Sequence, residues 1–189
     1  MARSESTNIS RAYLNDVSTM GFMSQRADAG GPSNRERSAL AGKRFLVVDD
    51  QSYMIDVVGE MLRHHGAADV VRAESVEIAA ARLDPGAACD SIICDFNMKP
   101  VNGIQFLQAI RAGRLAHAKR DQRFILLTGH GDMEVVKAAK ALDVSGYAVK
   151  PVAPDTFIKV VTRALSSALT LKNAEVYAQI PTQDLRRLQ

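Results

Sequence analysis

The sequence contains no tryptophan, and aromatic residues make up only 5% of it. Any core must therefore be aliphatic, drawn from a composition that is 47% hydrophobic. Nowhere do apolar residues run on for the length of a membrane span, and the N-terminus has no continuous apolar segment of the secretory kind. Membrane insertion is not expected. Cysteine is scarce: Cys89 and Cys94 are the only two, and Cys94 lies inside an apolar run, where a reduced core thiol is the natural reading. These absences lead us to expect a cytoplasmic protein. A charge excess of one sign is missing too, since 24 Lys and Arg face 21 Asp and Glu for a net +3. That balance does not demand a nucleic-acid or membrane partner.

What is present suffices for one domain with extensions, since 189 residues can bury a real core. Residues 1–42 are rich in Ser, Gly, Asn and Arg, and "ADAGGPSNRERS" (27–38) has the composition of a flexible linker. Ahead of it Ile9, Tyr13, Val17 and Met20 share one helical face, and the spacing suits either an amphipathic helix over about 9–23 or a disordered tail in which the period is chance. Residues 43–169 form the expected domain. Residues 170–189 are expected to extend the last helix until Pro181 stops it, or to form a tail.

Within 43–169 short apolar runs alternate with helical periodicity. "RFLVV" (44–48), "DVVRA" (69–73), "SIIC" (91–94), "RFILL" (123–127) and "SGYAV" (145–149) suit strands, largely of the kind covered on both faces. Between them Met54, Val57, Val58, Met61 and Leu62 mark a helix closed by Gly66, and Ser75 caps a second. "GIQFLQAIRAG" (103–113) and "DMEVVKAAKAL" (132–142) are the third and fourth, and Pro154 opens a fifth. Five strand–helix pairs imply an α/β fold with a doubly wound parallel sheet and helices on both faces.

In such a sheet ligands bind at the carboxyl ends of the strands. Asp49 and Asp50 follow the first strand, Asp95 the third and Thr128 the fourth, while Lys150 ends the fifth. A lone terminal Asp is as readily a cap, and a lone Lys is ordinarily solvated. Three carboxylates on one rim are different, because they repel one another unless a cation or proton offsets them. Mg²⁺ suits such oxygen ligands, and an adjacent hydroxyl and ammonium suit an anion beside the metal. The chemistry that uses all of these together is phosphoryl transfer to a carboxylate.

These residues carry a resemblance. "VVDD" (47–50), "ICDFNM" (93–98) with Gly103, "LLTGH" (126–130) and "GYAVKP" (146–151) are similar to the receiver domains of two-component response regulators, the CheY-like fold. The resemblance spans about 43–169 and implies the strand order 2-1-3-4-5. It implies that Asp95 is the phosphoacceptor, that Asp49 and Asp50 place Mg²⁺, and that the backbone carbonyl of Asn97 is a further metal ligand. Thr128 resembles the hydroxyl that moves toward the phosphoryl group, and Tyr147 the rotating aromatic switch. Lys150 resembles the partner of the phosphoryl oxygens, and its bond to Pro151 is cis in the family. Asn97 and His130 stand where the family tunes the lifetime of the phosphorylated state.

The implied function is that of a single-domain response regulator. It would accept its phosphoryl group from a histidine kinase or histidine phosphotransfer protein and switch its interaction with a downstream target protein. It would assist its own phosphorylation and dephosphorylation without being an enzyme acting on a separate substrate. With 20 residues after position 169, no direct DNA binding is expected. Three departures from the family pattern stand out. Pro100 is displaced by one residue after Met98, Gly129 replaces a small Ala or Ser, and Arg123 replaces a proline. A haloacid-dehalogenase-type enzyme would want a carboxylate at position 97, which is Asn, and "AGKR" (41–44) is no phosphate-binding loop. The remaining alternative is a receiver fold used as an interaction module without phosphorylation.

Overall fold

The computed structural model describes residues 39–83, 89–129, 133–182 and 185. The expected helix at 9–23, the linker and His130 lie outside the described residues.

Five strands form the sheet: β1 (Arg44–Val48), β2 (Asp69–Ala73), β3 (Ser91–Asp95), β4 (Arg123–Thr128) and β5 (Gly146–Val149). All pairings are parallel and the order is β2-β1-β3-β4-β5, as the sequence implied. The helices are α1 (Ser52–His64), α2 (Val76–Arg82), α3 (Gly103–Arg111), α4 (Met133–Ala141), α5 (Pro154–Ser166) and the short α6 (Ala174–Ala178).

Because side chains alternate along a strand, each central strand feeds two cores. Leu46, Ile92, Cys94, Phe124 and Leu126 point into one, shared with α2, α3 and α4. Phe45, Val47, Ile93, Ile125 and Leu127 point into the other, shared with α1 and α5. Burial on both faces is why these strands read as continuous apolar runs rather than alternating ones. On α1 the inward stripe also takes in Ile55, which the sequence reading left out, whereas Met54, Val57 and Met61 are only half-buried. The helix ends follow local chemistry. Ser75 accepts a hydrogen bond from Ile78 N as the cap of α2, Gly66 takes up the left-handed backbone after α1 (φ 93°), and Asn102 with Gln105 forms a capping box on α3.

The C-terminal segment departs from expectation. Helix α5 stops at Ser166, well short of Pro181, and Ser167 turns to extended backbone (ψ 141°). The chain then crosses to α3 as a strap. Tyr177 of α6 is fully buried and Leu185 nearly so, both in the core beneath α3 and α4. The Gln108 side chain on α3 donates to the carbonyls of Tyr177 (2.9 Å) and Ile180 (2.7 Å) and accepts from the Thr182 hydroxyl (2.8 Å). Tertiary partners, rather than helical propensity, decide the course of these residues.

Candidate functional site at the carboxyl ends of the strands

Sheet register alone brings the acidic residues together. Val48 of β1 lies beside Cys94 of β3, so the next residues along, Asp49 and Asp95, emerge as neighbours at the same edge. Asp95 pairs in register with Leu127, which puts Thr128 one step further along β4, and Thr128 in turn pairs with Val149. Lys150 is the residue after Val149, and its amide donates to the Thr128 carbonyl (2.7 Å). Four elements thus deliver their last or next residue to one rim.

The side chains meet there. Lys150 Nζ lies 2.6 Å from Asp49 Oδ2 and 2.7 Å from Asp95 Oδ1, with 17% of its side chain exposed against 3% and 6% for the two carboxylates. The remaining carboxylate oxygens are also engaged: Asp49 Oδ1 accepts from Gln51 N (3.0 Å) and Asp95 Oδ2 from Asn97 N (2.7 Å). Thr128 is buried, Tyr147 half-buried against the core, and Asn97 exposed. Asp50 stands exposed beside Asp49.

Desolvation, aided by the nearby Asp95 charge, pushes the Asp49 carboxyl above its usual range despite the opposing pull of Lys150. Burial by itself would lower Lys150, yet the carboxylates of Asp95 and Asp49 outweigh it and hold the ammonium above its usual value. The lysine therefore stays charged, and its single positive charge serves two buried carboxylates.

A close approach of backbone completes the site. A Cβ at Gly103 would sit on the Asp95 carbonyl oxygen and within 2.9 Å of Leu126 Cδ1. Only glycine lets the start of α3 lie against the end of β3. The intervening loop buries Phe96 and Met98 and is closed by Gly103 N donating to the Phe96 carbonyl (3.1 Å). Within it the Lys99–Pro100 bond is cis, and so is Lys150–Pro151. The sequence pattern marked Gly103 by its offset from Asp95. Its steric reason, and the two-handed role of Lys150, emerge only in three dimensions.

Among the described residues no three His, Cys, Asp or Glu side chains close into a metal cage. The donor set nevertheless fits a hard divalent ion. It is all oxygen, and three carboxylates against one ammonium leave two negative charges uncompensated.

Fold and site together define a doubly wound α/β module with an acidic, lysine-bridged rim, and the comparisons with known proteins name the class. Residues 45–162 match the family model of the response regulator receiver domain, and the chain belongs to that family. It is 35% identical over 111 residues to the chemotaxis protein CheY1 of Helicobacter pylori strain J99, covering 59% of this chain and 87% of that one. A CheY homologue of Campylobacter jejuni is 34% identical over 112 residues, covering 59% and 83%. Among solved structures, chemotaxis protein CheY4 of Vibrio cholerae superposes with a TM-score of 0.58 at 29% identity, covering 66% of this chain and 99% of that one. The protein is a receiver domain of the CheY-like response regulators with sequence on either side of it. Among the described residues no helix is long and apolar enough to cross a membrane.

Proposed function

We propose that this protein is a phosphorylation-controlled switch in which Asp95 accepts a phosphoryl group from a histidine kinase or histidine phosphotransfer protein. The observation that carries this reading is the shared ammonium, with Lys150 holding Asp49 and Asp95 at 2.6 and 2.7 Å at the mouth of the sheet. An Asp95 carboxylate oxygen attacks the phosphorus of a phosphohistidine. A new O–P bond forms, the P–N bond breaks, and the electron pair leaves with the imidazole nitrogen, which picks up a proton.

Asp49, Asp50, Asp95 and the Asn97 carbonyl would hold Mg²⁺, whose bound charge would offset that of the incoming phosphoryl oxygens. Lys150 would release Asp95 and turn to the phosphoryl oxygens as a point charge. Thr128, one strand over, would donate its hydroxyl to the same group, and Tyr147, half-buried on the neighbouring strand, would follow it inward. This couples a local change of charge to the surface around β5, a two-state element whose population shifts. The protein acts on its own aspartate and turns over no separate substrate. Its output is a downstream target protein.

Labelling by acetyl phosphate with and without Mg²⁺, in wild type and Asp95→Ala, tests the reading. Mg²⁺-dependent labelling that vanishes in the variant is expected. If acetyl phosphate fails to label a folded protein that binds Mg²⁺, a panel of histidine kinases is the next donor. Absence of both labelling and Mg²⁺ binding would leave the alternative, an interaction module working without phosphorylation.

A further inference from the structure

The loop that carries the chain from Asp95 to α3 has an inner and an outer side. Phe96 and Met98 are buried, whereas Asn97, Lys99 and Pro100 are exposed, so Asn97 and Lys99 share the outer side. The loop is tied to the rim, since Asn97 N donates to Asp95 Oδ2 at 2.7 Å. At most about 7 Å of chain separates Asn97 from Lys99, and the lysine carries its ammonium on a flexible four-carbon stem. Its backbone is held from both directions. Gly103 N closes the loop on the Phe96 carbonyl (3.1 Å), Met98 is anchored in the core, and Pro100 stiffens the following residue. In the family pattern proline follows this methionine directly, so Lys99 is a departure of this chain.

Lys99 makes no ion pair among the described residues, but neither do several other surface cations, and a lysine in isolation is ordinarily just solvated. Its surroundings set it apart. Asp49, Asp50 and Asp95 against Lys150 leave two negative charges at the rim, and Lys150 is already committed to Asp49 and Asp95 at 2.6 and 2.7 Å. A phosphodonor brings further negative charge, which the same carboxylates repel. A bound divalent ion would bring the rim to balance and leave nothing in surplus to draw the donor in. Lys99 supplies a positive charge beyond that balance, beside the approach to Asp95.

We infer that Lys99 is a donor-recognition residue, its ammonium meeting the anionic phosphodonor at the mouth of the site and favouring donors of higher negative charge. The inference rests on the reading of Asp95 as phosphoacceptor and adds to it the choice of donor. No covalent bond to Lys99 forms or breaks, and the side chain stays an ammonium throughout. It acts by charge on the approach of the donor, and Asp95 performs the transfer. An exposed charge of this kind raises the local concentration of an oppositely charged reactant, and salt weakens the effect. Near neutral pH acetyl phosphate is close to a dianion and phosphoramidate close to a monoanion. The first should therefore depend on Lys99 more than the second.

The test follows labelling of the full-length protein by both donors, at fixed Mg²⁺ and varied ionic strength, for wild type, Lys99→Ala, Lys99→Glu and Lys99→Arg. At low salt Lys99→Ala is expected to slow labelling by acetyl phosphate about fivefold, the factor that one charge a few ångströms away commands in water. Lys99→Glu should slow it further, and phosphoramidate should be affected less. The deficit should close as salt screens it, and Lys99→Arg should keep the wild-type rate. Mg²⁺ affinity, measured by calorimetry, should be no lower in Lys99→Ala, because removing a cation weakens a cation site only if the loop is disturbed. Wild-type rates and salt dependence in the Ala and Glu variants would overturn the inference and leave the phosphoacceptor reading standing. So would equal slowing of both donors together with weaker Mg²⁺ binding, the mark of a distorted loop. Failure of wild type to label with either donor would instead remove the phosphoacceptor reading, and this inference with it.

Discussion

Two lysine–aspartate contacts of similar length lie at opposite ends of β5, and they do different things. At the carboxyl end Lys150 divides itself between Asp49 and Asp95 at 2.6 and 2.7 Å. At the amino end Lys172 of the strap meets Asp143 at 2.5 Å. Around Asp143 the polar groups are closed into a set. The Tyr177 hydroxyl donates to Asp143 (2.7 Å) and accepts from Lys172 N (2.9 Å), while Arg120 and Lys172 lie over its ring. Arg111, with no exposed surface, donates to the carbonyls of Leu142, Arg120, Gln122 and Asp143. Burial lowers the Arg111 guanidinium to about 10, still charged at neutral pH. One end of the sheet is a locked polar network. The other holds an excess of carboxylate with one shared cation, which is the condition for taking up an ion or a phosphoryl group.

The contrast is broken most forcefully at Lys150. Replacing it by Met leaves two buried carboxylates without their cation, and breaking a buried pair from one side costs about 3–5 kcal/mol. Denaturant unfolding of Lys150→Met without divalent ions should show that loss. Mg²⁺ should restore part of it, because an ion bound only by the folded state stabilises it. A loss that Mg²⁺ leaves untouched would mean that the rim does not behave as an ion site.

At the locked end the corresponding cut is Tyr177→Phe, which keeps the ring and removes only the hydroxyl between Asp143 and Lys172. A hydrogen bond to a charged group contributes about 1.5–3 kcal/mol, and that is the expected loss in unfolding free energy. Labelling at Asp95 should be unchanged, because the strap touches the other end of the sheet. Altered labelling would show the two ends to be coupled.

Acid should drive the two ends in opposite directions. Burial would raise Asp143, but hydrogen bonds from Lys172 and Tyr177 and the nearby charges of Lys172 and Arg111 hold it below the usual carboxylate value. Its stabilising contribution is therefore complete above that value and is lost as pH falls through the lowered one. Asp49 is raised, mainly by burial, so its ionisation opposes folding. That cost is relieved as pH falls through the raised value, and under the proposed function Mg²⁺ affinity should fall with it because a carboxylate ligand must be ionised. Carboxyl titration followed by NMR should find Asp49 protonating before Asp143 as the pH falls. The reverse order would contradict the contrast.

The two ends also differ in how far the sequence revealed them. The strands were legible because burial on both faces writes itself as an apolar run, and Asp95 was conspicuous as the charge that ends one. The rim was legible because each of its residues is the last of a strand or one of the next two along, so one-dimensional order became three-dimensional proximity. The locked end offered no such rule. Tyr177 is buried by partners 34 and more positions away, at Asp143 and along α3, and no local period marks it. Arg111 closes a helix with apolar and polar faces, and only the carbonyls gathered around it explain why a guanidinium is buried there. Asp143, with φ at 50°, holds a left-handed turn that Asp tolerates better than most residues, but nothing in "ALDVSG" identifies it as the anchor of a strap.

The smallest effect is the most discriminating, because it compares two substitutions of the same chemistry. Lys172→Met removes an ammonium from an aspartate, as Lys150→Met does. Here the ammonium side chain is 44% exposed, against 17% for Lys150, and Asp143 keeps the Tyr177 hydroxyl after the change. Water can replace the lost partner, so the loss should be that of a surface pair, about 0.2–1 kcal/mol. Added Mg²⁺ should recover none of it. If Lys172→Met proved as costly as Lys150→Met, the lysine itself would be fastening the strap, and the hydroxyl of Tyr177 and the grip of Gln108 would be secondary. If it cost nothing, the strap would be held by its buried ring and its hydrogen bonds to α3, and the charge pair would only ornament them.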